Sequence, residues 1–135
     1  MLCLFCQNFE ISHQGHGREV SAEELARQAL IEMHRQVGDL VVGEDGVAVR
    51  GLLIRHPVLP GGRAGTREVA RFIARNLSPN SYVNIMSQYR PCDRAFELPG
   101  LEVRLSSAEY GKAVQEALEE GVTRLDRPRR VYVAW

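Results

Sequence analysis

Two apolar segments with a helical segment between them constrain the fold of this chain most strongly. The run Val47–Arg55 is almost continuously apolar, and Tyr82–Met86 is a second run of strand-forming residues. A continuous apolar run bounded by turn residues is typical of a strand covered on both faces, as in a parallel sheet. Between the two runs, Arg67–Leu77 carries apolar residues at helical spacing, and Thr66 is the expected N-cap. This order predicts a βαβ unit with parallel strands and a right-handed crossover.

Two more helices are predicted from their start signals. A Ser-x-x-Glu capping pattern begins at Ser21, and apolar residues at helical spacing follow, so a helix is expected over about Ala22–Val37. The same pattern begins at Ser106 and predicts a third helix, which Gly121 ends. The tail Val131–Trp135 is either an edge strand or an unfolded end. We therefore expect one α/β domain with parallel strands and about three helices.

Length and charge exclude several classes of function. The chain has 135 residues, which is enough for one hydrophobic core, and 17 basic residues balance 17 acidic ones. The balanced charge creates no overall electrostatic field that would favour nucleic acid or an anionic membrane as a partner. The apolar stretch Met1–Cys6 lacks a basic flank and is too short for a signal peptide or a membrane span. The protein is expected in the cytoplasm.

Soft ligands stand close together at one place, the N-terminal Cys-x-x-Cys of Cys3 and Cys6. Thiolates select iron–sulfur clusters, zinc or Cu(I), and the pair alone does not decide among them. Two thiolates are too few to close a four-coordinate site. One alternative is a zinc site in which His13 and His16 join the two cysteines, because thiolates and imidazoles are both zinc ligands. The chain would then be a small metal-binding module.

Six stretches along the chain share a likeness to one known family. They are Cys3–Ser12, Glu19–Leu25, Met33–Leu40, Gly51–Gly61, Tyr82–Pro91 and Arg124–Asp126. Together, and in this order, they resemble radical S-adenosylmethionine (radical SAM) proteins related to pyruvate formate-lyase activating enzymes.

The resemblance implies an iron–sulfur site at the N-terminus. In that family a Cys-x-x-x-Cys-x-x-Cys motif holds a [4Fe-4S] cluster, and Cys3 and Cys6 match its second and third ligands. The first ligand would fall upstream of Met1. Phe5 matches the aromatic residue that lies near the bound nucleoside. S-adenosyl-L-methionine is thus implied as the second cofactor, for a reaction in which the cluster provides an electron.

Strand ends are the other expected contact with cofactor or substrate. Arg55 and His56 end the first apolar run, and ligands of parallel α/β proteins bind at such ends. Asn84 and Gln88 stand in the same relation to the second run. The alternative, from the residues alone, is a solvated arginine and a histidine satisfied by loop carbonyls.

The family's architecture implies a partial (β/α) barrel over residues 1–135. The blocks around Glu23 and Met33 are separated by several strand–helix units in the family and are joined here, so the resemblance implies a truncated and internally deleted relative. If completed, it would be a radical SAM enzyme, with a glycyl-radical type of protein as a partner. The alternative is a non-catalytic α/β remnant or a small metal-binding module.

Overall fold

The computed structural model describes residues 21–126 and confirms the mixed α/β class. Its α-helices are α1 (Ala22–Val37), α2 (Thr66–Asn76) and α3 (Ser107–Glu119). Its strands are β1 (Val41–Val42), β2 (Ala48–Arg50), β3 (Leu53–Pro57), β4 (Tyr82–Met86) and β5 (Arg124–Leu125). Two short 3₁₀ helices, Pro60–Gly62 and Asp93–Glu97, lie in the loops that follow β3 and β4.

Three neighbouring parallel strands form the main sheet, in the order β3, β4, β5. Helix α2 connects β3 to β4, which confirms the predicted βαβ unit. Helix α3 connects β4 to β5 and makes a second unit that the sequence patterns did not indicate. Strands β1 and β2 form a separate antiparallel pair.

Both connecting helices cover the same face of this sheet. Strands β3 and β4 alternate between more buried and more exposed side chains, and the buried ones join a core with α2 and α3. The core residues are Ile54, Val58, Ala70, Ile73, Val83, Ile85, Ala113, Ala117 and Val122. Helices on one face of three successive parallel strands occur in an arc of a (β/α) barrel and also in one βαβαβ half of a doubly wound sheet. The opposite sheet face carries no helix from residues 21–126, and we call it the open face.

The predicted strand Val47–Arg55 is wrong in two respects. Gly51, at φ 102°, divides it into exposed β2 and sheet strand β3. In addition, β3 is covered on one face only, because Leu53 and Arg55 are exposed while Ile54 is buried. A strand in an arc with helices on a single side needs an apolar residue only at every second position.

Two of the three helices begin with the predicted capping pattern, and the predicted N-cap of the third is wrong. The Ser106 hydroxyl accepts from the Glu109 amide and the Glu109 carboxylate accepts from the Ser106 amide, which is the predicted capping box. The Ser21 hydroxyl accepts from the Glu24 amide in the same way. Thr66 is not an N-cap, because Gly65 holds that position at φ 59° and Thr66 is already helical.

An ion-pair cluster joins α2 to the end of α3. Arg71 makes a two-pronged contact with Glu120 at 2.8 and 2.9 Å, and Arg67 reaches Glu119 at 2.7 Å and Glu120 at 3.2 Å. The hydrogen bonds from Arg71 lower the pKa of Glu120 from 4.5 to about 2, with a smaller effect from Arg67. This cluster fixes the packing of one helix against the next.

Acid is expected to weaken this helix pair. Glu120 has a lower pKa folded than unfolded, so the unfolded chain binds more protons between pH 4.5 and pH 2. Stability that is present above pH 4.5 is therefore lost as the pH falls toward 2. Thermal melts between pH 4.5 and pH 2 should show this loss as a falling melting temperature. In Glu120→Gln the melting temperature should depend less on pH. Glu102→Gln, at an exposed residue without an ion pair in the part of the chain that the structure describes, should leave the profile unchanged.

Helix α1 lies at the periphery with most of its apolar side chains exposed. Leu25, Met33 and Val37 are all exposed, and no residue of the helix is buried. Its contacts with the rest of the fold include Leu30 against the core and Arg27 over the Phe72 ring at 5.3 Å. An amphipathic helix in this state has an apolar face without a partner among residues 21–126.

Candidate functional site

The open face of the sheet collects the polar side chains that could bind a ligand. Strands β3 and β4 pair in register, with Leu53 beside Tyr82, Arg55 beside Asn84 and Pro57 beside Met86. All six side chains point away from the helices, because their neighbours along each strand are the core residues. The open face is therefore mixed, with a polar row in the middle and apolar groups at both ends.

The central row consists of Arg55, Asn84 and Asp126. The Asn84 amide nitrogen donates to Asp126 Oδ2 at 2.9 Å, and the Tyr82 hydroxyl donates to Asp126 Oδ1 at 2.8 Å. The backbone amide of Asp126 also donates to the Val83 carbonyl at 2.8 Å, which continues the ladder one residue beyond β5. These bonds fix the carboxylate in place before any ligand arrives.

Arg55 is the unpaired cation of this row. Its side chain is exposed, and it makes no ion pair or hydrogen bond within residues 21–126. A guanidinium group presents several N–H donors in a planar fork that matches a carboxylate or a phosphate. Beside the fixed Asn84 and Asp126, the row offers donors for an anionic group and acceptors for hydroxyl groups.

Arg124 closes the end of the open face where the strands begin. Its guanidinium carbon lies 5.6 Å from the Tyr82 ring centroid, and its Nη1 donates to the carbonyls of Leu40 at 3.1 Å and Asn80 at 3.2 Å. This arginine is already engaged by backbone and ring, so it serves the fold. Ligand access is left to the middle of the face and the carboxyl ends of the strands.

His56 lies on the opposite side of the sheet from Arg55. It is 8% exposed, lines the core, and its Nε2 is 3.0 Å from the Thr66 hydroxyl. Burial lowers the pKa of His56 below its usual range, so the ring is neutral at neutral pH. Arg55 and His56 were expected to face one cofactor. The structure places them on opposite faces of the sheet, because successive side chains of a strand point to opposite faces. The buried histidine is satisfied by a helix hydroxyl and not by loop carbonyls.

A cavity lies on the other side of the sheet from the open face, at the carboxyl end of β3. It has a volume of about 490 Å³ and lies between the loop after β3 and the first turns of α2 and α3. The Gly61 amide donates to Glu109 Oε1 at 2.8 Å across it, so the loop after β3 is tied to the start of α3. Hydrogen bonds from Ser106 and from the Gly61 amide lower the pKa of Glu109 to about 2. This carboxylate is occupied in holding the loop.

The predicted metal ligands lie outside the described residues. Cys3, Phe5, Cys6, His13 and His16 all precede Ser21, where the description begins. Within residues 21–126, no group of three or more histidine, cysteine or acidic side chains could hold a metal ion. The third cysteine, Cys92, is exposed and precedes the 3₁₀ helix Asp93–Glu97. Residues 21–126 by themselves therefore form no such metal site.

Sequence reasoning missed Asp126 and Tyr82 as parts of a site. Strand β5 has two residues, too few for any periodicity to be visible, so nothing marked Asp126 as the residue after a strand. An available signal was the likeness of Arg124–Asp126 to a block of the radical SAM family, which drew attention to these residues without giving them a role.

The comparisons with known proteins leave the family unassigned. No protein-family model and no solved structure matches this chain. The chain is similar to an uncharacterized protein of Methanocaldococcus jannaschii, with 40% identity over 67 residues. The matched stretch is 49% of this chain and 20% of that relative, so this chain spans about a fifth of the relative's length. None of the helices in residues 21–126 has the length and apolarity needed to cross a membrane.

Proposed function

We propose that this chain is part of a radical SAM protein and that its open sheet face binds S-adenosylmethionine. One observation carries the proposal: Arg55, which pairs with no group of residues 21–126, lies next to Asn84 on a parallel sheet whose helices cover only the other face. On the far side of Asn84, Asp126 accepts a hydrogen bond from the Asn84 amide and completes the row. In a (β/α) barrel that helix-free face is the inner one, and cofactors bind toward the carboxyl ends of its strands.

Arg55 and Asp126 of the central row suit different parts of the cofactor. The Arg55 guanidinium can form a two-pronged, charge-assisted contact with the methionine carboxylate. From residues 21–126, each Asp126 oxygen accepts one hydrogen bond and keeps a second lone pair, so the carboxylate can also accept from a ribose hydroxyl. Met86 and Pro57 add apolar surface at the end of the strands, where an adenine ring could pack.

The iron–sulfur part of the proposal rests on the family resemblance of Cys3 and Cys6. If bound, a reduced [4Fe-4S] cluster with one open iron would supply one electron for the cleavage of the S-adenosylmethionine sulfonium into methionine and a 5′-deoxyadenosyl radical. Two thiolates from this chain would hold part of such a cluster. A further ligand has to be supplied by another group, and the glycyl-radical partner suggested by the family belongs to the same proposal.

Removal of the Arg55 guanidinium is expected to weaken S-adenosylmethionine binding by about tenfold to a hundredfold. Hydrogen bonds to a charged group contribute about 1.5–3 kcal/mol, and about 1.4 kcal/mol corresponds to a factor of ten in affinity. The measurement is calorimetric titration of the anaerobically reconstituted full chain, with wild type and Arg55→Ala compared.

Arg50→Ala is the matched control, because Arg50 is also exposed but lies on β2, outside the main sheet. The Arg50→Ala variant should bind S-adenosylmethionine with the same affinity as the wild type. Equal losses in the two variants, or no binding by the wild type, would contradict the proposal.

A non-catalytic remnant or a small metal-binding module is the competing function. The exposed apolar face of α1 favours it, because an element of a complete barrel normally buries that face. Binding of zinc by Cys3 and Cys6, with His13 and His16, is the form this alternative takes.

A further inference from the structure

An apolar groove of about 260 Å³ lies where the main sheet ends at β5. It is lined on one side by α3 and on the other by the ends of β4 and β5. The lining residues are Ile85, Tyr110, Val114, Leu118, Thr123, Leu125 and Asp126. The groove begins at Asp126, the last described residue of the chain.

Helix α3 presents two apolar stripes, and within residues 21–126 only one of them is fully buried, while Tyr110 and Val114 of the other pack partly against the core. Ala113 and Ala117 are buried in the core, whereas Tyr110, Val114 and Leu118 line the groove at a spacing of four residues. Leu118 is 46% exposed. The second stripe has the position of a helix face that the next strand of the sheet would cover.

The outer edge of β5 is also without a partner strand in residues 21–126. An unpaired edge beside an apolar groove can accept one more strand, which would pair with the backbone and place alternate side chains in the groove. The occupant must therefore be an extended apolar segment.

We propose that the occupant is the chain's own segment Val131–Trp135, added as an antiparallel strand to the edge of β5. The sequence Val-Tyr-Val-Ala-Trp is rich in strand-forming residues. Residues 127–130 contain Pro128 and are long enough to reverse the chain. Five residues in a strand extend about 17 Å. The segment thus starts next to the groove and has the length and composition to fill it.

The alternation of the segment decides which side chains enter the groove. Val131, Val133 and Trp135 share one face, and Tyr132 and Ala134 share the other. The first face is the more apolar, so it packs against Leu118 and Val114.

Fluorescence of Trp135, the sole tryptophan of the sequence, tests the groove side of this proposal. In the full-length chain its emission should lie at shorter wavelength than in the guanidinium-unfolded chain, with weaker quenching by acrylamide. Leu118→Glu should move both values to those of the unfolded chain. Leu98→Glu is the matched control, because Leu98 is 48% exposed but lies away from the groove. Circular dichroism confirms that both variants are folded.

A second pair of variants tests the segment itself. Val133→Glu should expose Trp135, whereas Ala134→Glu, on the opposite face, should leave its emission unchanged. A Trp135 that is as accessible in the wild type as in the unfolded chain would overturn the proposal. So would a blue-shifted emission that is lost on dilution together with a dimer in sedimentation velocity, because a second copy would then fill the groove.

Discussion

Replacing Gly51 by alanine is expected to lower the free energy of unfolding by about 3 kcal/mol or more. Gly51 has φ 102°, which costs a residue with a Cβ about 1–3 kcal/mol. A Cβ there would also meet the Asp39 carbonyl oxygen and approach Leu40 Cα to 2.6 Å. Both contacts are with backbone, and Asp39 is held by its bridge to Leu52, so overpacking adds a similar cost. Urea unfolding of Gly51→Ala measures the sum.

Gly111→Ala is the control for this substitution. Gly111 lies within α3, and nothing lies within 4 Å of the position of an added Cβ. Alanine in a helix is more favourable than glycine by about 1 kcal/mol, so this variant should be more stable than the wild type. A similar change in both variants would mean that the Gly51 backbone can relax, contrary to the close approach seen in the structure.

Replacing Cys6 by alanine is expected to abolish iron and sulfide uptake during anaerobic reconstitution. If Cys3 and Cys6 are cluster ligands, the wild-type chain should take up close to four iron and four sulfide, and one remaining thiolate cannot hold the cluster. Metal analysis and the visible absorption of the cluster provide the measurement. Cys92→Ala should behave as the wild type, because Cys92 is exposed and lies in a loop that supplies no ligand in the family.

The same experiment separates the two proposed functions. Iron–sulfur uptake with cleavage of S-adenosylmethionine on reduction would exclude the remnant. Zinc uptake alone, lost in Cys6→Ala, would instead support the small metal-binding module and contradict the radical SAM proposal. Arg55→Ala would then have no effect on metal content, because Arg55 belongs to the sheet.

Much of the fold was predictable because its signals are local. The Ser106 capping box, the helix from Ala22 to Val37 and the strand Tyr82–Met86 all follow from patterns within a few residues. Strand β5 was not predictable, because two residues give no period and their strand form depends on pairing with β4. Thr66 was assigned to the wrong cap position because threonine is a good N-cap, whereas a buried His56 here engages its hydroxyl.

For the candidate site, too, local signals were predictable from the sequence and tertiary contacts were not. Residue type and spacing marked Cys3 and Cys6, and the position at the end of a predicted strand marked Arg55. Neither signal revealed that Arg55 and His56 face opposite sides of the sheet, or that Asp126 binds Tyr82 and Asn84, which lie 44 and 42 residues earlier in the chain.

The helices, the order of β3, α2 and β4, and the thiol pair follow from the amino-acid sequence, because propensity, capping and ligand chemistry act over short distances. The position of both connecting helices on one side of the sheet follows instead from tertiary packing. That arrangement depends on which apolar surfaces meet, and it leaves the other side of the sheet to the row of Arg55, Asn84 and Asp126, in which Arg55 has no partner within residues 21–126.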